Sequence, residues 1–450
     1  MTEYTMRSRT IACRDQWDVV VAGGGPAGCA AAAAAARAGA KTLLVEATGA
    51  LGGMGTSGMV PAWCPFSDRE KIIYRGIAQE VFEQTKAGMP HVQFERLDWV
   101  PIDPERLKRV YDTLVTEAGV SVLFNTFVVD VDVSDGKMNT MLAVHKGGFE
   151  AFSASYFIDC TGDADLVFKA GLPCEKGDEH GELQPVTHCF ALANVDIEAY
   201  RRGPSLKKGD HPLIKDILAS GKFPLIRDGH ACNNQIGPGV IGFNAGHIWD
   251  IDNTDPYSIS RALIEGRTIA EEFRAALAEF NPAAFGDSFV VQTAPLMGVR
   301  ETRRIIGDYV LTVEDYFARR DFPDEICRNA YPIDIHTSKA ELQKVCADVH
   351  DVMKRYERYS PGESHGIPLR CLLPRGLSNV LVAGRSISTD RIVQGSTRVM
   401  PVCLAMGEAA GTAAAMAASQ GAVDIRAVSV AKLRTKLASQ GAYLPEPSSC

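Results

Sequence analysis

The stretch Asp18-Val-Val-Val-Ala-Gly23-Gly24-Gly25-Pro26-Ala27-Gly28, running on to Glu46, decides how the rest of the chain is read. Val19–Val21 are apolar and β-branched, the composition of a strand buried on both faces. Gly23, Gly25 and Gly28 give the spacing G-x-G-x-x-G, and the alanine run Ala30–Ala36 predicts a helix that ends near Gly39. A second apolar strand, Thr42–Val45, leads straight to Glu46. Each glycine has its own duty. Gly23 makes the tight turn, Gly25 lets backbone approach a pyrophosphate, and Gly28 lets helix and strand pack closely. Free N–H groups and the positive dipole end at the helix start favour phosphates, with Pro26 and Ala27 in the first turn. Glu46, followed by Ala47, suits ribose hydroxyls and would repel a 2′-phosphate. Strand, glycines, helix, strand and acid in this order predict a dinucleotide-binding βαβ unit.

Composition narrows the class. The chain has 450 residues, long enough for two domains. With 46% hydrophobic and 23% charged residues it reads as an ordinary soluble globular protein. A formal charge of −8 without a basic run argues against nucleic acid or an anionic membrane as partner. The first 17 residues lack an apolar core of signal-peptide length, and no long apolar stretch outside them reads as a bilayer span. The 12 cysteines show no C-x-x-C spacing and read as free thiols of a reducing cytoplasm. Iron–sulfur clusters, a zinc ribbon and a redox dithiol are therefore not expected, and no metal site is. Self-association stays open.

Leu51-Gly-Gly53-Met54-Gly-Thr56-Ser-Gly58 follows the ribose acid with four glycines in a short run, a loop suited to pressing against a flat or phosphorylated ligand. Residues 70–118 read as helical with breaks at Pro90 and at Pro101–Pro104, and Asp103-Pro104 as N-cap and first helical residue. Strand-rich Val120–Val133, a turn at Asp135-Gly136, Met141–His145, a turn at Gly147-Gly148 and Phe149–Ser155 predict an antiparallel meander. Tyr156–Asp163 is a buried strand ending in a polar turn. From Leu172 to Thr293 polar turns become dense, Lys207–Asp210 among them, and His180, His188, His230 and His247 occur. Gly237-Pro-Gly239-Val-Ile-Gly242 repeats the glycine spacing, but a polar run precedes it and no helix former follows. It is rejected as a second nucleotide site. Tyr257–Phe280 reads as an amphipathic helix, Val290–Ala294 as a strand and residues 313–358 as amphipathic and charged. Asn379–Ala383 is a buried strand running into Gly384-Arg385. Pro401 starts an Ala/Gly-rich helix to Ala418, whose small residues predict close backbone packing.

Four stretches carry a family likeness: the fingerprint with Leu51–Thr56, Asp159–Asp165, Gly298–Arg304, and Ile367–Pro374 through Val382–Arg385 to Arg398–Pro401. Together they resemble the FAD-dependent oxidoreductases of the glutathione-reductase-like superfamily, and within it a bacterial family known simply by that activity. The likeness covers about residues 16 to 420. It implies an α/β chain in which a Rossmann-like FAD-binding domain, a parallel sheet with an antiparallel meander, is interleaved with an α+β substrate domain. The boundaries are expected at 16–171 (FAD-binding, first part), 172–295 (substrate), 296–375 (mixed helical cap), 376–425 (FAD-binding, second part) and 426–450 (tail). By the resemblance Glu46 holds the adenosine ribose, Val128 faces adenine, and Thr161, Gly162 and Asp163 lie along the pyrophosphate side. Gly384, Arg385, Arg398, Val399 and Met400 lie at the ribityl and pyrimidine end. Gly-Asp-Ala, usual in aromatic-ring monooxygenases near the C-terminal FAD strand, is replaced here by Ala383-Gly384-Arg385.

The expected function is hydride transfer between a small organic substrate and the flavin. A flavin monooxygenase and a flavin-bound protein without turnover are the alternatives. A helix N-terminus at Pro401, with Arg398, suits the edge of the flavin that gains charge on reduction. A base is also needed, and His188 or His230 is the candidate, with His247 nearby. Arg300 is a candidate clamp for a carboxylate or polar oxygen, while Arg303 and Arg304 read as ion-pair partners.

Overall fold

The computed structural model describes residue 4 and residues 7–204, 206, 212–336 and 358–445. The predicted turn Lys207–Asp210 and the middle of the amphipathic stretch, residues 337–357, lie outside them.

The Val19–Val21 strand sits at the centre of the main sheet. Strands β1 (Ala12–Ala22), β2 (Thr42–Val45), β3 (Ser121–Leu123), β4 (Phe127–Ser134), β5 (Lys137–His145) and β6 (Gly148–Asp159) run in the order β3-β2-β1-β6-β5-β4. β1 pairs in parallel with β2 (Val20↔Leu43) and with β6 (Val20↔Phe157). β6 changes partner along its length. Its first half pairs antiparallel with β5 (Ser153↔Thr140), and its second half in parallel with the late strand β15 (Val380–Val382; Phe157↔Val380). The meander hinges on Asp135 and Gly136, both at positive φ (50° and 70°), the geometry of a tight hairpin. This is a mixed α/β chain with a Rossmann-like parallel core.

Helix α1 (Pro26–Arg37) lies against the Ala/Gly-rich helix Met400–Ser419. The approach is backbone to backbone. A Cβ on Gly407 would lie 2.1 Å from the Ala27 carbonyl oxygen, and one on Gly411 would lie 2.0 Å from that of Ala31. One helical turn separates the members of each pair, so the two small stripes face each other. Helix Met400–Ser419 also has the length and apolarity of a bilayer span, with a mean hydropathy of 1.3. This corrects the expectation that no stretch is long and apolar enough for a span; the helix's buried seat against α1 accounts for its composition.

A second, antiparallel sheet comprises β8 (Phe190–Ala193), β9 (Ala231–Gly237), β10 (Val240–Ala245) and β11 (Phe289–Thr293), in the order β11-β8-β10-β9. Helix Pro256–Phe280 packs on it through Phe273, over the stacked rings of Phe190 and Phe243 (5.0 Å apart). The rejected glycine repeat is the β9–β10 hairpin, with Gly239 at φ +66°. Short β7 (Cys174–Lys176) pairs with β12 (Arg303–Ile305).

The helical readings are trimmed in two places. Within 70–118, helices cover only Ile77–Lys86 and Pro104–Glu117, because Pro90 and Pro101 bracket an irregular run. Asp103 does cap the second, accepting from Glu105 and Arg106 amides. Within 313–358, the described part holds helix Val313–Phe317 and strand β13 (Glu325–Asn329), paired with β14 (His365–Pro368). Some of its charges are buried in pairs, as Arg328 is with Asp321 (2.6 Å) and Glu325 (3.1 Å), while Glu314 and Arg320 stay exposed.

His365 of β14 is fully buried beside Tyr316 and Tyr359, and burial with the nearby Arg328 charge pushes its pKa down to about 3. The unfolded chain protonates this ring near 6.5, so stability is whole above that pH and declines as pH falls towards 3. At pH 5 the loss from this ring is about 2 kcal/mol. Melting curves at pH 7.5 and 5.0 should show a smaller drop for His365→Gln than for the parent; an equal drop would exonerate His365.

Candidate functional site

The glycine turn is built for contact. Gly23 has φ +94°, and a Cβ there would lie 2.4 Å from the Cys160 carbonyl oxygen. A Cβ on Gly28 would lie 1.8 Å from the Gly23 carbonyl oxygen, so β1, α1 and the end of β6 meet backbone to backbone. Gly25 differs: nothing lies within 4 Å of its Cβ position. Open space stands before the start of α1, where a phosphate would sit. Glu46 is buried, and its carboxylate accepts from the amides of Gly24 (2.6 Å) and Thr48 (2.7 Å).

The glycine-rich loop after Glu46 is a buried 3-10 turn, Gly53–Gly55, rather than a loose surface loop. A Cβ on Gly53 would stand 3.1 Å from the Gly25 Cα, so this loop closes over the glycine turn. The Thr56 hydroxyl is spent inside the loop, donating to the Leu51 carbonyl (2.6 Å). On the other side, the turn after β6 is locked to the turn after β15. Arg385 donates to the Gly162 carbonyl (2.7 Å) and to Asp163 (2.8 Å), and Gly384 has φ +102°. Thr161 donates to Asp159 (2.7 Å). Val128 is half-buried on β4, opposite Ala143.

Beyond this strip opens a cavity of about 970 Å³. One wall is made by Met54, Arg385, Arg398, Val399 and Met400, the last two at the N-terminus of the long Ala/Gly helix. The second sheet and its flanking turns add Cys189, His230, Asn244 and Arg300, and the segment after β13 adds Asp334 and His336. Gly298 makes the placement of Arg300 feasible. It exchanges backbone bonds with Thr187 (2.8 and 3.1 Å), and a Cβ there would lie 2.6 Å from the Thr187 oxygen. Gln394 fixes the same segment by donating to the Arg300 carbonyl (2.9 Å).

The histidines separate sharply. His230 lines the cavity and His188 does not. His188 is buried under the long helix, bonded to the Ala294 carbonyl (2.8 Å), where a Cβ on Gly266 would touch it at 2.4 Å. Side chains alternate along a strand, so Cys189 takes the cavity side and sends His188 to the other. His180 is exposed beside Glu179. Arg303 and Arg304 do form ion pairs, with Asp165 (2.9 Å) and Glu175 (3.4 Å).

A chain of three groups was not legible beforehand. His247 Nδ1 lies 2.8 Å from Asp228 Oδ2, and His247 Nε2 lies 2.8 Å from His336 Nδ1. Burial keeps both imidazoles neutral, with pKa values below the ordinary range, and for His336 the Arg300 charge adds to it. A carboxylate only accepts, so His247 Nδ1 carries the proton and Nε2 accepts from His336 Nδ1. His336 Nε2 then holds a lone pair, 3.7 Å from Asp334 Oδ1. Imidazole nitrogens of His230, His247 and His336 fall within 4.8 Å of one another, a spacing a metal ion could bridge. Arg300 Nη2, however, stands 3.3 Å from His230 Nε2, and a dication there would meet a guanidinium. The arrangement reads as a hydrogen-bonded relay.

The ten described cysteines form no disulfide; burial raises the pKa of most of them, that of cavity-lining Cys189 to about 12. They are poor thiolates there.

Glutathione reductase of Schizosaccharomyces pombe is 33% identical over 240 residues, 47% of this chain and 47% of that protein, so the match spans about half the relative's length. A geranylgeranyl bacteriochlorophyll reductase-like protein of Thermoplasma acidophilum aligns over 95% of this chain and 83% of its own, at TM-score 0.48 and 12% identity. The p-nitrophenol 4-monooxygenase of Pseudomonas putida aligns over 94% and 84%, at TM-score 0.45 and 12% identity. The family described as FAD dependent oxidoreductase matches residues 18–437, and the chain belongs to that family.

Proposed function

We propose that this enzyme is of the dehydrogenase or oxidase type, oxidising a C–H next to a hydroxyl or amine of a small organic substrate, or running the reverse. One observation carries the reading: elements suited to the flavin and the end of a proton relay, His336, line a single cavity. FAD, when bound, supplies the two-electron acceptor. The residues fit it. The space before Gly25 and the start of α1 would take the pyrophosphate, and Glu46 the ribose. The strip from Thr161–Asp163 through Gly384-Arg385 to Arg398–Met400 would carry the remainder to the cavity.

The protein's own chemistry is proton management. Oxidation of an alcohol or amine releases a proton with the hydride, and the His336 Nε2 lone pair is placed to take it. Asp334, 3.7 Å away, offsets the charge gained there. His247, held by Asp228, fixes the tautomer that leaves this lone pair available.

Arg398 sits at the junction before helix Met400–Ser419, donating to the Asp334 carbonyl (2.6 Å), and its buried Nε has no partner. Removing it should lower the reduction potential of the bound flavin, because the reduced form is the more negative. A charge-assisted hydrogen bond of roughly 1–3 kcal/mol corresponds to some tens of millivolts, at about 30 mV per 1.4 kcal/mol. Spectroelectrochemical titration of Arg398→Met at equal FAD occupancy reads this out. An unchanged or higher potential would take Arg398 away from the flavin.

The functional reading is tested by mixing holoenzyme anaerobically with alcohols, amines and their oxidised counterparts, watching the flavin band. Bleaching by a substrate, with the matching carbonyl or imine as product, is the expected result. Oxygen incorporated into product would make it a monooxygenase. No reduction by any donor would leave a flavin-bound protein without turnover.

A further inference from the structure

Arg300 is a buried cation that no carboxylate among the described residues contacts directly; Asp334 and Asp228 act on it only from beyond ion-pair distance. Its side chain is within a residue only 6% exposed, on the cavity wall. Nη1 donates to the Pro185 carbonyl (2.6 Å) and to Thr187 Oγ1 (3.0 Å), and Nη2 to His230 Nε2 (3.3 Å). All three acceptors are neutral, and among the described residues no carboxylate makes an ion pair with it. A guanidinium has five N–H groups, so two remain for a ligand.

Four other arginines around the cavity are engaged differently. Arg385 pairs with Asp163 (2.8 Å), Arg398 with Asp334 (3.6 Å) and Arg201 with Glu198 (3.2 Å). Arg96 donates to the carbonyls of Asp98 and Trp99. Asp334 is the one carboxylate on the wall among the described residues, and Arg398 and Tyr331 already engage it. The wall as a whole is cationic.

Burying a cation this deeply without an anion in contact is costly, so such a group persists where something else brings the negative charge. We infer that Arg300 binds a carboxylate of the substrate, which makes small organic acids the substrate class; this rests on the dehydrogenase reading above. A neutral substrate oxygen would not serve as well. Arg300 already has three neutral acceptors, and a fourth adds a hydrogen bond but no compensating charge. Burial and the neighbouring Arg398 charge, only partly opposed by Asp334, lower the Arg300 pKa to about 10, a penalty that a bound anion would relieve. The segment is held in advance by Gln394 and by the Gly298–Thr187 bridge, so little reorganisation is needed on binding.

The test uses isosteric probes on the unmodified holoenzyme: benzoate against benzamide and acetate against acetamide, titrated calorimetrically, with inorganic phosphate as a third arm. Each acid should bind at least about tenfold more tightly than its amide, as a charge-assisted bond requires. In Arg300→Met that preference should vanish while FAD content and the unliganded flavin spectrum stay as in the parent, and Arg300→Lys should restore part of it. Equal binding of acid and amide, or no binding of either acid, would overturn the inference. So would phosphate binding as tightly as the acids, or FAD loss in Arg300→Met, which would assign the arginine to the cofactor. The two readings fail separately. Acids that bind but never lead to flavin reduction sink the dehydrogenase reading, whereas a neutral compound that bleaches the flavin where acids fail to bind sinks this one.

Discussion

Gly407→Leu should destabilise the protein by at least about 1–3 kcal/mol and lower its FAD content. A Cβ at this position already lies 2.1 Å from the Ala27 carbonyl oxygen, so every atom of a leucine side chain must push helix Met400–Ser419 away from α1. Ala27 stands in the first turn of α1, the turn proposed to face the pyrophosphate, which is why cofactor and stability should fall together. Gly407→Ala sharpens the test by a reversal of sign. In an open helix the change from glycine to alanine gains about 1 kcal/mol, whereas here one methyl group should destabilise. Thermal melting and the flavin-to-protein absorbance ratio measure both effects. A parent-like alanine variant would mean that the two helices can part without cost.

Glu46→Arg should abolish FAD retention while the fold persists. The Glu46 carboxylate accepts two amide protons, from Gly24 and Thr48, and so shapes the glycine turn besides offering an acceptor to a ribose. Arginine has no acceptor, and both N–H groups would face a cation instead. Losing hydrogen bonds to a charged group costs on the order of 1.5–3 kcal/mol each, enough to lower cofactor affinity a hundredfold or more. Glu46→Gln should retain partial binding, because its carbonyl still accepts. Circular dichroism and FAD released on denaturation make the comparison. An arginine variant as yellow as the parent would remove Glu46 from the cofactor site.

What could be read from the residues alone followed the range of the interactions. The βαβ unit was legible because its parts are contiguous and each glycine answers a local steric demand, as Gly23 and Gly28 do against Cys160 and Gly23. The false glycine repeat at 237–242 was separable for the same reason, since its flanks lacked a strand-to-helix switch. The relay was not legible. Asp228, His247 and His336 come from three loops, and each alone resembles an ordinary polar residue. A weak signal existed at Tyr331-Pro-Ile333-Asp334-Ile335-His336, where alternation puts Asp334 and His336 on one side. His188 and His230 could not be ranked, because which side of so short a strand faces the cavity depends on pairing partners from distant segments. The charge of Arg300 was evident from its type; the absence of a carboxylate in contact with it, among the described residues, was a property of the assembled wall.

The backbone-to-backbone seam between α1 and the Ala/Gly helix joins residue 27 to residue 407, and β15 joins the main sheet only after residue 380. A ribosome delivering this chain therefore releases the phosphate-binding turn early and its closing partner almost last. During the interval the alanine face of α1 has no permanent cover. Chains halted before residue 400 should expose that face to chaperones and fail to keep FAD, so cofactor capture marks the end of synthesis rather than its beginning.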